Sequence, residues 1–147
     1  MTEMPTRGEK NQNPGNIDFD PAIHWVGQLG LERCPVDESY RCRFARFSDP
    51  IYGIRALAKL LVTYITRDGA NTVRKIVERW APPSDDNDTS AYVTAVAGTV
   101  GFDPGAILTP DAPTISALTR AIIVHENGRC IYDAPIIDRG VALALST

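Results

Sequence analysis

Glu126 is the side chain whose place in the sequence points most directly to chemistry. Residues 118–128 read Leu-Thr-Arg-Ala-Ile-Ile-Val-His-Glu-Asn-Gly, an apolar helical pattern followed by a glycine. Gly128 suits the left-handed conformation that ends a helix, so Glu126 is predicted in the last turn, where free carbonyl groups disfavour a carboxylate. A glutamate held in its acid form is what a glycosidase needs to protonate a departing sugar oxygen. The alternative is a solvated glutamate at a helix end.

Four polar side chains are candidates for holding a saccharide beside such an acid: Asn16, Asn87, Thr89 and Tyr92. Asparagine and tyrosine suit glycans because they hydrogen-bond hydroxyl and acetamido groups, and a tyrosine ring also stacks on a sugar face. We expect Tyr92→Phe to lower turnover and leave stability unchanged. Asn87 and Thr89 equally suit the junction between a loop and a helix, where they would cap the helix, and Asn16 suits a turn.

Several other residues could act beside Glu126, and the sequence leaves their roles open. Trp25 lies in a Gly-flanked loop where a sugar platform would sit, whereas Trp80 ends an apolar stripe and suits the core. His125 points about 100° away from Glu126 around the helix and suits a supporting or core role. A second carboxylate, which would separate inverting from retaining geometry, has four candidates: Asp18, Asp20, Asp133 and Asp138.

No cofactor or metal is expected. The three cysteines include no Cys-x-x-Cys pair, and the two histidines, His24 and His125, are far apart, so a structural zinc site is not predicted. Cys34 and Cys42 flank a predicted hairpin and could pair if oxidised, but a reduced, inert state is expected.

Composition is typical of an ordinary globular chain. The 147 residues are 44% hydrophobic and 22% charged, which suits a single domain with a real core. A net charge of −3 gives no sign of nucleic-acid binding, and the apolar runs are too short for a membrane span. The first residues lack the apolar core of a signal peptide, so action in the periplasm would need another route of delivery.

The periodicity predicts a mostly α, α+β fold with about five helices and a small N-terminal β-hairpin. Residues 1–12 are predicted to form a flexible arm and residues 13–147 a single domain. The hairpin is predicted within residues 25–47, and helices at residues 54–65, 73–80, 90–100, 114–126 and 135–145. Asp88 or Thr89 is predicted to cap the third helix, and Thr114 the fourth.

The chain resembles a family of small phage and prophage proteins that are usually described as virion or structural proteins. The resemblance covers nearly the whole chain and rests on three elements: Asn13-Pro14-Gly15-Asn16-Ile17, Trp80-Ala81-Pro82, and Asn87-x-Thr89-x-x-Tyr92-Val93. In that family a Glu often precedes the Asn of the third element, whereas this chain has Asp86. The chain therefore departs from the family's pattern at this position.

A second resemblance is to lysozyme-like glucosaminidase domains of the flagellar and autolysin type. It rests on the Asn13–Ile17 turn, then Trp25-Val26-Gly27, then Phe44-Ala45-Arg46-Phe47. In those domains the catalytic Glu ends an Ala-rich helix before this region, while the matching helix here ends at Glu126, after it. The resemblance therefore implies a lysozyme-like fold in circularly permuted form, with Glu126 brought to a cleft beside the Asn16 turn and the hairpin.

Together these observations predict cleavage of peptidoglycan glycan strands by a single Glu general acid/base, of the muramidase or lytic transglycosylase type. The alternative is a non-catalytic phage virion protein that acts as a structural or interaction module, and a third reading is an effector secreted into rival cells. The expected partners are glycan strands and other virion or secretion-system proteins. The protein would act in the cell wall after delivery or as part of a virion.

Overall fold

A computed structural model of the chain describes residues 4–85 and 87–146, and the fold in this part is mostly α-helical. Two short strands form an antiparallel sheet with Gly30 opposite Arg46 and Leu31 opposite Ala45. The elements in chain order are α1 (Arg7–Lys10), β1 (Gln28–Leu31), β2 (Ala45–Phe47), α2 (Pro50–Thr66), α3 (Val73–Trp80), a 3₁₀ turn (Pro83–Asp85), α4 (Thr89–Val100), α5 (Ala112–Asn127) and α6 (Ala134–Leu145). The predicted mostly α, α+β class is confirmed.

The core forms where α2 packs against α6 and α5, with α4 covering the other side of α5. Gly140 lets α6 approach α2 closely, because a Cβ there would lie 2.5 Å from Cγ2 of Ile54. The fully buried side chains at these contacts are Ile54, Leu57 and Leu61 of α2, Ile115, Leu118 and Ile122 of α5, and Ile137 of α6. This packing fixes α5, which carries Glu126 at its last turn.

The structure agrees with the predicted start of one helix and differs from that of another. Asp88 caps α4 by accepting from the N–H of Ala91, one of the two predicted possibilities. The prediction for α5 was wrong, since its cap is Asp111, which accepts from the N–H of Thr114 at 2.9 Å. The helix starts earlier because Pro113 occupies the first turn, where proline is tolerated.

The segment predicted as a flexible arm contains the short helix α1, which begins after Thr6. Thr6 and Glu9 form a reciprocal capping box around α1, and the buried Glu9 carboxylate pairs with Arg129 at 2.7 Å. The Thr-x-x-Glu spacing is the sequence signal for this box. Residues 1–3 of the predicted arm, and Asp86, lie outside the described residues.

The cysteine prediction is also wrong. Cys34 and Cys42 are joined in a disulfide with a Cα–Cα distance of 5.3 Å, which is normal for such a bond. The hairpin brings them together because the chain turns back between β1 and β2. Arg7 and Glu32 tie this segment to α1 through a 2.6 Å ion pair.

Candidate functional site

Glu126 lies in the last turn of α5, as predicted. Gly128 adopts the left-handed conformation with φ 75°, and its N–H donates to the carbonyl of Val124 at 2.7 Å. The preceding turns bury Ile122 and Ile123 in the core, and the half-buried Glu126 continues the same face of the helix one turn further on. The backbone that carries this carboxylate is therefore held by both packing and capping.

Two donors from distant parts of the chain hold the two carboxylate oxygens of Glu126. The side-chain amide of Asn16 donates to Oε1 at 3.0 Å, and the hydroxyl of Tyr92 donates to Oε2 at 3.0 Å. These bonds join residues 110 and 34 positions apart in the sequence. The carboxylate is thus fixed in orientation from both sides.

The turn at residues 13–17 presents Asn16. Its backbone is in the left-handed region, with φ 52°, which asparagine tolerates better than most residues. The fully buried Asn13 stabilises the turn, because its Oδ1 accepts from the N–H of Ile17 and its Nδ2 donates to the carbonyls of Ile17 and Ala45. This turn therefore links strand β2, through Ala45, to the Glu126 carboxylate.

Tyr92 reaches Glu126 from α4, and its side chain is almost fully buried. Its ring stacks on His125 with 3.7 Å between the ring centroids. Burial raises the pKa of Tyr92 well above its ordinary value, and the neighbouring Glu126 raises it further. The phenol therefore stays protonated and remains the donor in its bond to Glu126.

Glu126 opens onto a cleft with a volume of about 360 Å³. Four aromatic side chains line it: Trp25, Phe44, Tyr64 and Trp80. Tyr64 and Trp80 meet edge to face, with 6.3 Å between centroids. The volume lies in the range of small-molecule sites, which combine apolar walls with a few placed polar groups.

The structure separates the two predicted polar residues of the α3–α4 junction. Asn87 lines the cleft and donates a hydrogen bond to the carbonyl of Pro82 at 3.2 Å. Thr89 is buried and donates to the carbonyl of Ala81 at 2.7 Å. Its hydroxyl is occupied in joining α4 to the end of α3, and Thr89 is not among the residues that line the cleft, so its role in substrate binding stays a prediction.

Two of the four candidate second carboxylates lie at the cleft, Asp18 and Asp20. Asp18 is paired with Arg43 at 2.7 Å, and Asp20 accepts from the N–H of Ala22 at 2.9 Å. The other two have structural contacts, since Asp133 caps α6 and Asp138 accepts from Ser116.

Sequence reasoning missed Tyr64 and Arg43 as cleft residues. In the sequence Tyr64 lies in the apolar pattern of the helix predicted at residues 54–65, and Arg43 lies within the predicted hairpin. In the structure both line the cleft. A stripe pattern alone does not distinguish a core position from one at the edge of a cavity.

The described residues contain no group of three or more His, Cys, Asp and Glu side chains able to hold a metal ion. Within the same part of the chain, no helix is both long and apolar enough to cross a membrane.

Comparison with known proteins connects the chain to a phage. No model of a known protein family matches it. The chain is 35% identical over 136 residues to "Protein P5" of Pseudoalteromonas phage PM2, and the alignment covers 91% of this chain and 79% of that protein. Identity at this level over nearly the whole chain shows common descent, and the chain belongs to the same family as this phage protein.

Proposed function

We propose that this protein cleaves the β-1,4 glycosidic bond of peptidoglycan glycan strands, with Glu126 as general acid and then general base. The observation that carries the proposal is the Glu126 carboxylate at an aromatic-lined cleft, gripped by Asn16 and Tyr92 at 3.0 Å each. Such fixed orientation is what proton transfer to a bound substrate oxygen needs.

The proposed step uses lone pairs that the two donors leave available. Each carboxylate oxygen has two acceptor sites, and Asn16 and Tyr92 occupy one on each oxygen. The protonated acid gives its proton to the leaving sugar oxygen as the glycosidic bond breaks. The resulting carboxylate then takes a proton from the attacking group, which is either a water molecule or a hydroxyl group of the sugar itself.

Sugar binding is assigned to the walls of the cleft. Trp25, Tyr64 and Trp80 offer ring faces for the apolar side of a saccharide. Asn87 offers an amide for an acetamido group. Of the residues predicted from the sequence to bind substrate, Asn16 and Asn87 line the cleft, and Tyr92 acts behind it by holding Glu126.

Two endings of the reaction are chemically available, and they have different products. Attack by water gives a muramidase product with a reducing end. Attack by the sugar's own hydroxyl gives the anhydro product of a lytic transglycosylase, lighter by one water.

The lysozyme-like arrangement and the circular permutation stay predictions.

A non-catalytic virion component is the second candidate function. It is favoured by the kinship with a phage protein over nearly the whole chain. In that role the same cleft would bind another phage component or the glycan without cleaving it. We infer association with the virion in either case, with peptidoglycan reached from the particle.

The variant Glu126→Gln tests the proposal. Gln is isosteric, and the amide can accept from Asn16 and donate to the Tyr92 hydroxyl, so the fold should persist. Dye release from purified peptidoglycan should fall at least about 10²-fold, the usual scale for the loss of proton transfer. Mass spectrometry of the released fragments identifies the bond and the ending.

Two results would reject the enzymatic proposal in favour of the virion component. One is the absence of released fragments with the folded wild-type protein. The other is a Glu126→Gln variant that releases fragments at nearly the wild-type rate.

A further inference from the structure

Asn127, the residue after Glu126, joins the end of α5 to two other segments. Its Nδ2 donates to the carbonyl of Pro14 at 2.8 Å, inside the turn that presents Asn16. Its Oδ1 accepts from the hydroxyl of Thr6 at 2.6 Å. One side chain thus connects the helix of Glu126, the turn of Asn16 and the cap of α1.

The backbone of α1 packs directly against Asn127 and the turn that presents Asn16. A Cβ on Gly8 would lie 2.7 Å from Oδ1 of Asn127, 2.9 Å from the carbonyl of Asn13 and 3.0 Å from Oδ1 of Asn16. We call Asn13, Asn16 and Asn127 the asparagine cluster. Contacts this short leave no room for a side chain at residue 8, so α1 covers the asparagine cluster through Gly8.

An ion pair holds α1 against this cluster. Glu9, with 7% of its surface exposed, accepts from Nη2 of Arg129 at 2.7 Å and from Nε at 3.1 Å. Arg129 follows the Gly128 cap of α5, so the pair spans 120 residues. The N-terminal helix is thereby attached to the same end of α5 that carries Glu126.

We propose that Asn127 is a positioning residue, which holds the Asn16 amide on the Glu126 carboxylate by fixing the Pro14 carbonyl to α5. The inference rests on the proposed function for its effect on turnover. The hydrogen bond to Pro14 supports this role. A residue that only ended the helix would need just the 2.8 Å bond from its amide to the carbonyl of Ile123. Gly8 supports the same geometry from α1.

Two variants and one control test this assignment. Asn127→Ala removes the bond to Pro14, and Gly8→Ala pushes α1 off the asparagine cluster. The control is Asp111→Ala, which removes the cap at the opposite end of the same helix and so weakens α5 without touching the cluster. Activity is measured on soluble glycan fragments well below each melting temperature.

We expect both cluster variants to lower kcat about 10-fold or more and to change KM by less than about 2-fold, because an interaction that orients the reacting group acts mainly in the transition state. Asp111→Ala should keep the wild-type kcat. Independently of activity, the Asn16 side-chain amide signals in a ¹⁵N NMR spectrum should shift, and their protons should exchange about 10-fold faster, in both cluster variants only.

Unchanged Asn16 amide signals in folded Asn127→Ala would overturn the inference. If that variant does not fold, unchanged signals in Gly8→Ala overturn it instead. A kcat loss in Asp111→Ala equal to that of the cluster variants also overturns it. A wild-type protein that releases no fragments rejects the proposed function, and the NMR comparison then still decides whether Asn127 positions Asn16.

Discussion

Removing the hydroxyl of Tyr92 should lower both stability and turnover. The variant Tyr92→Phe keeps the ring, which is stacked on His125 at 3.7 Å between centroids. It removes the hydroxyl that donates to Oε2 of Glu126 at 3.0 Å. Tyr92 is only 2% exposed, so the bond that is lost is a largely buried one.

The size of the stability loss follows from that contact. A hydrogen bond to a charged group contributes about 1.5–3 kcal/mol. Glu126 is half-buried at the cleft, where water can partly replace the lost donor. We therefore expect a loss of about 1–2 kcal/mol in the free energy of unfolding, or about 2–8 °C in Tm. The structure thus replaces the sequence-based expectation of unchanged stability.

Turnover should fall because Glu126 loses one of its two anchors. A bond of about 1.4 kcal/mol that orients the acid corresponds to a tenfold change in rate, so we expect dye release per folded molecule to drop about 10-fold. The control is Tyr132→Phe. The Tyr132 hydroxyl is buried and has no hydrogen-bond partner in the part of the chain that the structure describes, so its loss should not lower Tm.

Thermal melts and dye release on the same samples decide the matter. A Tm of Tyr92→Phe equal to wild type, or to Tyr132→Phe, would refute the claim that the Tyr92 hydroxyl makes a buried hydrogen bond. A lowered Tm with unchanged turnover would mean that Tyr92 supports the fold and not the acid. The double variant with Glu126→Gln should lose less stability than the sum of the single changes, since the two residues share one bond.

Other side chains give further tests. Asn87→Ala should lower dye release with little change in Tm, because the side chain is exposed on a loop, whereas Thr89→Ala should cost about 1 kcal/mol of stability and leave turnover per folded molecule unchanged; the reverse pattern would contradict the placement of both. Burial alone raises the pKa of Glu32, but hydrogen bonds from Arg7 and other donors outweigh it and lower the pKa from 4.5 to about 2. The ionised Glu32 therefore contributes its full stabilisation of the folded state above pH 4.5, and this contribution, about 3 kcal/mol, should be lost as the pH falls towards 2. The free energy of unfolding of Glu32→Gln, measured by denaturation, should depend less on pH over this range than that of the wild type. Cys42→Ser should lower stability by about 2–3 kcal/mol, the chain-entropy value for so short a loop, and a wild-type midpoint unaffected by reductant would argue against the disulfide.

The helical part of the fold is predictable because its signals are local. Spacing of three and four residues marks Ile54, Leu57 and Leu61 as one buried face, and the structure buries all three. Gly128 marks the end of α5 because the left-handed conformation favours glycine. Such signals depend on neighbours within one or two turns, which a sequence shows directly.

The N-terminal helix could not be predicted with the same ease. Four residues are too few for a stable isolated helix, so the Thr6–Glu9 capping box is a weak signal by itself. What stabilises α1 is the Arg129 side chain, 120 residues away. The disulfide depends likewise on how the hairpin closes, which the spacing of Cys34 and Cys42 leaves open.

The candidate site was predicted in part, and the division has a physical reason. Asn16 and Tyr92 both contact Glu126 in the structure, although nothing in the sequence measures the distance between them. Thr89 lies only three residues before Tyr92, yet it faces the end of α3 instead of the cleft. Side chains three apart on a helix share a face only approximately, and the elements packed around them decide which one reaches Glu126.

The immediate surroundings of Glu126 are not those that stability alone would favour. Asn16 holds a left-handed backbone conformation with φ 52°, where glycine would be at ease. Its Oδ1 is buried without a hydrogen-bond partner among residues 4–85 and 87–146, and such a group costs about 1–3 kcal/mol. Glycine at residue 16 would avoid both penalties and keep the turn, but it would remove the amide that grips Glu126. Unfavourable features that meet at one carboxylate, beside an aromatic cleft, are typical of a functional site, and we take them as support for the enzymatic proposal over a purely structural role for the cleft.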